Sequence, residues 1–211
     1  MIDILGTLDA KIENLEKTNV KIQELCLAQY RLIFDGIPKT NLSSIATITM
    51  GQSPSGNSLN TDNGTVFYQG RTDFGFRVPS VRLYTTEPNR MAKANDILLS
   101  VRAPVGDINI AIERCCIGRG IAAISSSYNS FVYYALLNQR SDFDVYNTAG
   151  TIFGSINRDA LNAFQVPASQ LSLIDDFTSF AKPFDEKILL NTKEIMRLKD
   201  LKNNYLQKFF G

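Results

Sequence analysis

The chain carries one short motif twice, once near each end, and the two copies bracket everything between them. Asp-x-Lys-Ile occurs at residues 9–12 and again at residues 185–188. Around each copy, apolar residues recur at the heptad spacing of a helix that packs along a partner helix. Two similar helices therefore enclose one central segment, and the chain is constrained to fold as a domain between two helical arms.

The heptad spacing defines a predicted seam on each helix. Its positions are Leu5, Leu8, Ile12, Leu15, Asn19, Ile22 and Cys26 in the first helix, and Ala181, Phe184, Ile188, Asn191, Ile195, Leu198, Lys202, Tyr205 and Phe209 in the second. The residues expected to hold the helix pair or a dimer together are Leu8, Ile12, Leu15, Asn19, Ile22, Phe184, Ile188, Ile195 and Leu198. Asn19 is typical of a polar seam residue that fixes register at some cost in stability.

One arm leads into the central segment and the other leads out, so the pair can fold back antiparallel. In the alternative, both helices simply pack on the core of the domain. The first helix is predicted over residues 3–34, stopped by Gly36 and Pro38. The second is predicted to begin after a Ser169 cap, and Pro183 predicts a kink or short break, which places the start of the coiled-coil arm at about residue 184.

The predicted fold is α+β: one mixed α/β domain flanked by two long helices that form an antiparallel coiled-coil arm. The expected boundaries are 1–36 for the N-terminal helix, 37–168 for the domain and 169–211 for the C-terminal helix. Within the domain we expect strands at residues 42–50, 65–69, 96–101 and 108–112, helices at 128–138 and 159–164, and polar loops between them.

The composition offers little from which to build a catalytic site. Histidine is absent, which removes the commonest general base and metal ligand. There is no Gly-x-x-x-x-Gly-Lys-Ser/Thr phosphate loop, and no Asn-Pro-Pro-aromatic motif of a base methyltransferase. The three cysteines have no metal-like spacing, and no apolar run reaches the roughly 18 residues of a membrane span. We expect no cofactor or metal in this chain, and a reducing cytoplasm as its compartment.

Basic residues are sorted by type along the chain. Between residues 40 and 179 there are nine arginines and one lysine, whereas outside that span there are ten lysines and two arginines. A guanidinium group can bind guanine O6 and N7 bidentately in the DNA major groove, which lysine cannot. The bias favours a nucleic-acid face in the domain, although a chance bias in a small count is the alternative.

Four stretches of the domain, in their order and spacing, resemble a known family. They are Met50-Gly51-Gln52-Ser53-Pro54, residues 95–106 with Ser100-Val101-Arg102-Ala103-Pro104, Ile117-Gly118-x-Gly120-x-Ala122, and Gly150-Thr151-x-Phe153-x-x-Ile156. Together with the two Asp-x-Lys-Ile arms, they resemble the DNA-specificity subunit of type I restriction–modification systems. Members commonly have a Pro-Pro-Leu-x-Glu-Gln-like entry to the second arm, and this chain departs from it after Pro167.

The resemblance implies sequence recognition without chemistry. A full specificity subunit has two target-recognition domains, and this chain resembles a half-length form with one. The expected partners are double-stranded DNA, DNA adenine methyltransferase subunits, a restriction subunit where the host has one, and a second copy of the chain. S-adenosylmethionine, ATP and Mg²⁺ are expected on the partner subunits. If the chain forms a homodimer, we expect a palindromic, bipartite DNA target in which the arms set the gap between the two half-sites. The alternative function is a coiled-coil assembly adaptor that does not read DNA.

The candidate DNA-binding residues lie in loops, where side chains can project from a rigid sheet. They are Gln52, Ser53, Ser55 and Asn57; Gln69, Arg71 and Asp73; Arg102 and Arg119; and Thr151, Ser155, Asn157 and Arg158. Gln69 can pair with adenine and Arg71 with guanine, while Asp73 can accept from cytosine or orient Arg71. Each loop could instead be an ordinary exposed turn, and Arg102 or Arg119 could pair with an acid at the edge of the core.

Overall fold

A computed structural model describes residues 2–148, 154–168 and 170–210, without the side chains of residues 2, 3, 148, 209 and 210. Thr151 and the predicted Ser169 cap therefore lie outside the described residues. The first arm is a single helix, α1 (Ile2–Phe34), which ends where Gly36 takes a left-handed φ of 74°. Glycine adopts this conformation without the steric cost of a Cβ, which explains the stop.

The second arm is one unbroken helix, α5 (Leu171–Phe210), so the predicted break at Pro183 is wrong. Proline lacks the N–H that would bond to the carbonyl of Ser179, four residues earlier. Ser179 and Pro183 are both exposed, so water can satisfy the freed carbonyl group. The local rule against an internal proline is overridden because the break in the hydrogen-bond ladder faces solvent, and the opposite face is anchored by the buried Phe177 and Ala181.

The two arms run antiparallel, as the chain order predicted. Lys199 Nζ lies 2.8 Å from Glu16 Oε1, and Lys202 Nζ lies 2.6 Å from Asp9 Oδ1, so residue numbers rise in one helix as they fall in the other. The described seam positions are all buried or half-buried: Leu5, Leu8, Ile12, Leu15, Asn19, Ile22 and Cys26 in α1, and Ala181, Phe184, Ile188, Asn191, Ile195, Leu198, Lys202 and Tyr205 in α5. The heptad pattern is therefore the contact between the arms.

Asn19 finds its partner in Asn191, the polar seam position of the other arm. Asn191 Nδ2 donates to Asn19 Oδ1 at 2.8 Å, and Asn19 Nδ2 lies 3.5 Å from Thr192 Oγ1. Both asparagines are almost fully buried, so a shift in register would leave amide groups unpaired in an apolar seam. The pair thus specifies one alignment of the arms.

Asn191→Leu should lower the free energy of unfolding by about 1–3 kcal/mol, because the Asn19 amide oxygen would be buried without a donor. The double variant Asn19→Leu/Asn191→Leu should recover most of that loss, since no polar group then remains unpaired at this point of the seam. Urea denaturation of the wild type and the two variants measures both effects. A double variant less stable than the single one would contradict the assigned role.

Between the arms, the described residues form three sheets and three short α-helices. The elements are β1 (Thr40–Asn41), β2 (Thr47–Met50), β3 (Leu59–Asn60), β4 (Thr65–Tyr68), β5 (Leu83–Thr85), β6 (Met91–Ala92), β7 (Ile97–Ser100), β8 (Ile108–Ile110), β9 (Cys115–Ile117), β10 (Ile121–Ser125), α2 (Asn129–Asn138), α3 (Asp144–Thr148), α4 (Arg158–Asn162) and β11 (Gln165–Val166). The four-stranded antiparallel sheet has the order β2-β10-β7-β8, and the five-stranded sheet has the order β3-β5-β4-β9-β6, in which only β4 and β9 pair parallel. The third sheet is the short antiparallel pair of β1 and β11.

The two central strands of the four-stranded sheet, β7 and β10, are covered on both faces, which explains why nearly all of their residues are apolar. On β7, Ile97 and Leu99 pack against the helices, whereas Leu98 packs against the five-stranded sheet. On β10, Ile124 packs against the helices and Ile121 packs against the five-stranded sheet. Because successive side chains of a strand point to opposite faces, a strand buried on both sides is apolar on both faces, and the buried Ser100 at the end of β7 has its hydroxyl hydrogen-bonded. The domain core therefore continues directly into the packing of α1, α2 and α5.

Five predicted elements of the domain match within two residues: the strands at 65–69, 96–101 and 108–112, and the helices at 128–138 and 159–164. The strand predicted over residues 42–50 is wrong in its first half. Leu42–Ser44 form a 3-10 turn, in which the amide of Ile45 donates to the carbonyl of Leu42 at 3.2 Å, and β2 begins only at Thr47. Leu42 is apolar because it is buried in the core, not because it belongs to a sheet.

Candidate nucleic-acid interface

Three of the candidate loops meet where β2, β4 and β9 end. The amide of Gly118 donates to the carbonyl of Tyr68 at 2.8 Å, and the amide of Gln52 donates to the carbonyl of Ile117 at 2.9 Å. Since β4 and β9 are parallel, the loops that follow them leave from the same edge of the sheet. The turn at residues 118–120 thus lies between the Gln52 loop and the Gln69 loop.

The glycines of this turn are required by close packing inside the protein. A Cβ on Gly118 or on Gly120 would lie 2.9 Å from the carbonyl oxygen of Gln69. Glycine at both positions permits this close approach of the two backbones, and the exposed Arg119 lies between the two glycines in the sequence.

The fourth loop joins the same surface. The amide of Val101 donates to the carbonyl of Gly120 at 2.9 Å, and the amide of Ile156 donates to the carbonyl of Val101 at 3.1 Å. Arg102 and Ser155 form an antiparallel bridge, and both are exposed. Backbone contacts therefore link four loops that are far apart in sequence. The linked candidates are Gln52, Ser53, Gln69, Arg102, Arg119 and Ser155.

The remaining candidates lie further from this centre or have internal tasks. Ser55 and Asn57 are exposed, and the carbonyl of Ser55 accepts from the amide of Ser58 at 3.1 Å. Asn157 caps α4, because its Oδ1 accepts from the amide of Ala160 at 2.8 Å. Arg158 is the exposed first residue of α4. Asn157 is thus partly committed to the fold, while Arg158 remains free to reach a ligand.

Asp73 is buried and organises its loop from within. Its carboxylate accepts from the amides of Gln69 at 2.7 Å and Gly70 at 3.4 Å, and from Arg82 Nε at 2.7 Å. The predicted role of orienting Arg71 is wrong, since Arg71 pairs with Asp107 instead. Reading of cytosine by Asp73 stays a prediction, although only 3% of the residue is exposed. Arg82 and Asp107 were not among the predicted site residues, and no local pattern marks them.

Arg77 belongs to the basic residues of the domain but not to its surface. It is 4% exposed, has a left-handed φ of 63°, and pairs with Asp185 of α5. Its Nη1 donates to Tyr134 Oη at 3.0 Å, and its Cζ lies 4.1 Å from the ring centroid of Tyr133. Burial lowers the pKa of Arg77, but Tyr133, Asp185 and Tyr134 raise it by more, so the guanidinium stays charged.

Asp185 is the aspartate of the second Asp-x-Lys-Ile motif. Besides pairing with Arg77, it accepts from Ser130 Oγ at 2.6 Å and from Tyr134 Oη at 3.0 Å. Asp9, its counterpart in the first motif, pairs with Lys202 on the arm surface. The same motif therefore fastens the domain to one arm and forms an exposed ion pair on the other.

The face carries unneutralised positive charge. Among the described residues, no ion pair involves the exposed Arg102, Arg119 or Arg158.

Burial raises the pKa of the three thiols, that of Cys115 to about 12, so none is a ready nucleophile. Residues 2–148, 154–168 and 170–210 contain no group of three or more acidic or cysteine side chains placed to hold a metal ion. No helix in the part of the chain that the structure describes is long and apolar enough to cross a bilayer.

A polar face built from loops on rigid sheets, and carried on two long helices, is typical of a binding module. Comparison with known proteins agrees. The family model for the type I restriction modification DNA specificity domain matches residues 36–200. A putative type I restriction enzyme MjaX specificity subunit from Methanocaldococcus jannaschii is 32% identical, over 93% of this chain and 53% of its own length.

Solved structures share the fold. The HsdS subunit from Thermoanaerobacter tengcongensis superposes with a TM-score of 0.63 at 24% identity, covering 98% of this chain and 55% of that one. The S subunit of the type I system from M. genitalium gives a TM-score of 0.73 at 16% identity, covering 99% and 59%. The chain belongs to the type I restriction modification DNA specificity family. It spans about half the length of the curated relative it matches.

Proposed function

We propose that this chain is a non-catalytic, sequence-specific DNA-binding subunit that reads one half-site of a bipartite target. The observation that carries the proposal is the convergence of four separate loops on one edge of the sheets. That edge presents Gln52, Gln69, Arg102 and Arg119, which are side chains that can donate to base edges or phosphates. The family membership and the positive charge of the face support the same reading.

The arms would join this chain to a second copy, which reads the second half-site, and to the enzyme subunits. A second copy, joined through the arms, would place two identical reading faces about a two-fold axis and require a palindromic target. Leu25 and Leu32, seven residues apart and so on one side of α1, remain exposed. We propose that DNA adenine methyltransferase subunits, and a restriction subunit where present, cover such outward faces. These partners would carry S-adenosylmethionine, ATP and Mg²⁺, and the complex would act in the cytoplasm.

Selection from a random-sequence duplex pool tests the proposal, with the purified chain in complex with its methyltransferase subunits. We expect enrichment of a bipartite palindrome at both low and moderate salt, because base contacts discriminate sequences whereas phosphate contacts do not. An Arg102→Gln/Arg119→Gln variant should lose part of that enrichment. An Arg114→Gln variant removes one arginine charge at the opposite end of β9 and should retain the enrichment.

Two outcomes would count against the proposal. Binding that falls with salt and enriches no sequence would leave only electrostatic attraction, and would favour a coiled-coil adaptor that does not read DNA. Enrichment of a site without two-fold symmetry would exclude the symmetric dimer while keeping DNA reading.

A further inference from the structure

Asp107 lies between two arginines from different parts of the domain. Arg71 Nε donates to Asp107 Oδ2, and Arg140 Nη2 donates to Asp107 Oδ1. The carboxylate is 15% exposed, whereas the arginine side chains are 51% and 60% exposed. One partly buried anion thus holds two exposed cations side by side, and the group keeps a net charge of +1.

The backbone of Asp107 is fixed by the end of β7. The amide of Ser100 donates to the carbonyl of Asp107 at 2.8 Å, and the amide of Asp107 donates to Ser100 Oγ at 2.9 Å. Ser100 Oγ in turn donates to the carbonyl of Pro104 at 2.8 Å, and Ser100 is 1% exposed. Asp107 therefore has little freedom to follow either arginine. The arginines are drawn to a fixed point, which is how a binding group is preorganised.

A cleft opens at this point. Its volume is about 440 Å³, and it is lined by both arginines, Asp107, Thr72, Phe76 and, from α1, Gln23. A guanidinium group has five N–H donors, and the pairing with Asp107 described above uses one from each arginine. The remaining N–H donors of the two adjacent guanidinium groups can hydrogen-bond to one tetrahedral anion.

We propose that Arg71 and Arg140 clamp one phosphate group of the DNA backbone, with Asp107 as the positioning residue. This rests on the proposed DNA-binding function and gives Arg71 a task other than reading guanine. The clamp adjoins the reading face, because Arg71 lies two residues from Gln69 on one loop. Phosphate contacts fix the register and orientation of a protein on the duplex, so the clamp would seat the face that reads bases.

Anisotropy titrations of the complex with its methyltransferase subunits test the clamp, using one duplex with the selected target and one scrambled duplex over about 50–200 mM NaCl. Arg140→Gln should weaken both duplexes by the same factor and reduce the slope of log K against log salt by about 0.9. Arg140→Lys, which retains the charge, should restore most of the slope. Asp107→Asn, which removes the competing anion, should steepen the slope.

Arg114→Gln is the matched control, because it removes one exposed arginine at the far end of the five-stranded sheet and should leave the slope unchanged. The clamp is overturned if Arg140→Gln behaves like this control, or weakens only the target duplex. It is also overturned if Arg140→Gln impairs methyltransferase assembly but not the salt slope, since the anion would then be an acidic protein segment. If the wild-type complex binds neither duplex, the proposed function itself fails.

Discussion

Asp185→Ala should lower the free energy of unfolding by about 3–5 kcal/mol, the usual cost of breaking one side of a buried ion pair. The Arg77 side chain is only 3% exposed, so without Asp185 its charge would remain buried with no carboxylate. Ser130 Oγ and Tyr134 Oη would lose an acceptor at the same time. Alanine is a good helix former, so the loss cannot be ascribed to α5 itself.

The repeat supplies a matched control. Asp9 occupies the equivalent position of the first motif, and its ion pair with Lys202 is open to solvent. Asp9→Ala should therefore cost about 1 kcal/mol or less. Urea denaturation, followed by circular dichroism, measures both variants against the wild type.

A third variant separates the buried charge from packing. Arg77→Met/Asp185→Leu removes both charges and should be markedly more stable than Asp185→Ala, because no unpaired ion remains. Equal losses for Asp9→Ala and Asp185→Ala would show that the domain does not depend on this pair for its attachment to the arm. A double variant no more stable than Asp185→Ala would show that an unpaired buried charge is not the cause of the loss.

The arms could be predicted from the sequence because heptad spacing is a local property that directly encodes a buried seam. The antiparallel direction followed from chain order alone. The exception was Pro183, where a local rule assumes that a lost backbone hydrogen bond cannot be replaced. In the structure Ser179 and Pro183 are both exposed, so water can bond to the freed carbonyl, and the buried side of the helix keeps the helix intact.

The candidate loops could be found in the sequence from their polar residues, but their arrangement in space could not be predicted. Arg77 and Asp185 are 108 residues apart, so nothing local distinguishes this buried arginine from the exposed Arg102 or Arg119. Asp73 was singled out in a polar loop, yet its partners turned out to be backbone amides and Arg82. Such assignments depend on which strands pair and in which direction, and short strands in two sheets leave that open in the sequence.

Gly51→Ala should be the most damaging small substitution in the proposed DNA-binding face formed by the loops of Gln52, Gln69, Arg102 and Arg119. A Cβ there would lie 2.1 Å from the carbonyl oxygen of Gly118, and 2.7 and 2.8 Å from those of Ile121 and Ile117. All three contacts are with backbone atoms, which cannot move aside by changing rotamer. The end of β2 would have to separate from β10, with loss of the bonds from Gly51 N to Ile121 O and from Gln52 N to Ile117 O. We expect a loss of about 2–4 kcal/mol of stability.

The same displacement should disrupt DNA binding, because the Gln52 loop and the Arg119 turn are held together by these contacts. We expect Gly51→Ala to weaken binding to the selected target by about tenfold or more, which corresponds to roughly 1.4 kcal/mol. Gly56→Ala is the control in the same loop, since a Cβ at Gly56 meets nothing within 4 Å. It should change stability by about 0.5 kcal/mol or less and leave binding intact. Loss of affinity in both variants would show that the effect comes from the composition of the loop. Loss in Gly51→Ala alone, measured below its unfolding transition, would show that DNA recognition depends on the close approach of these two backbones.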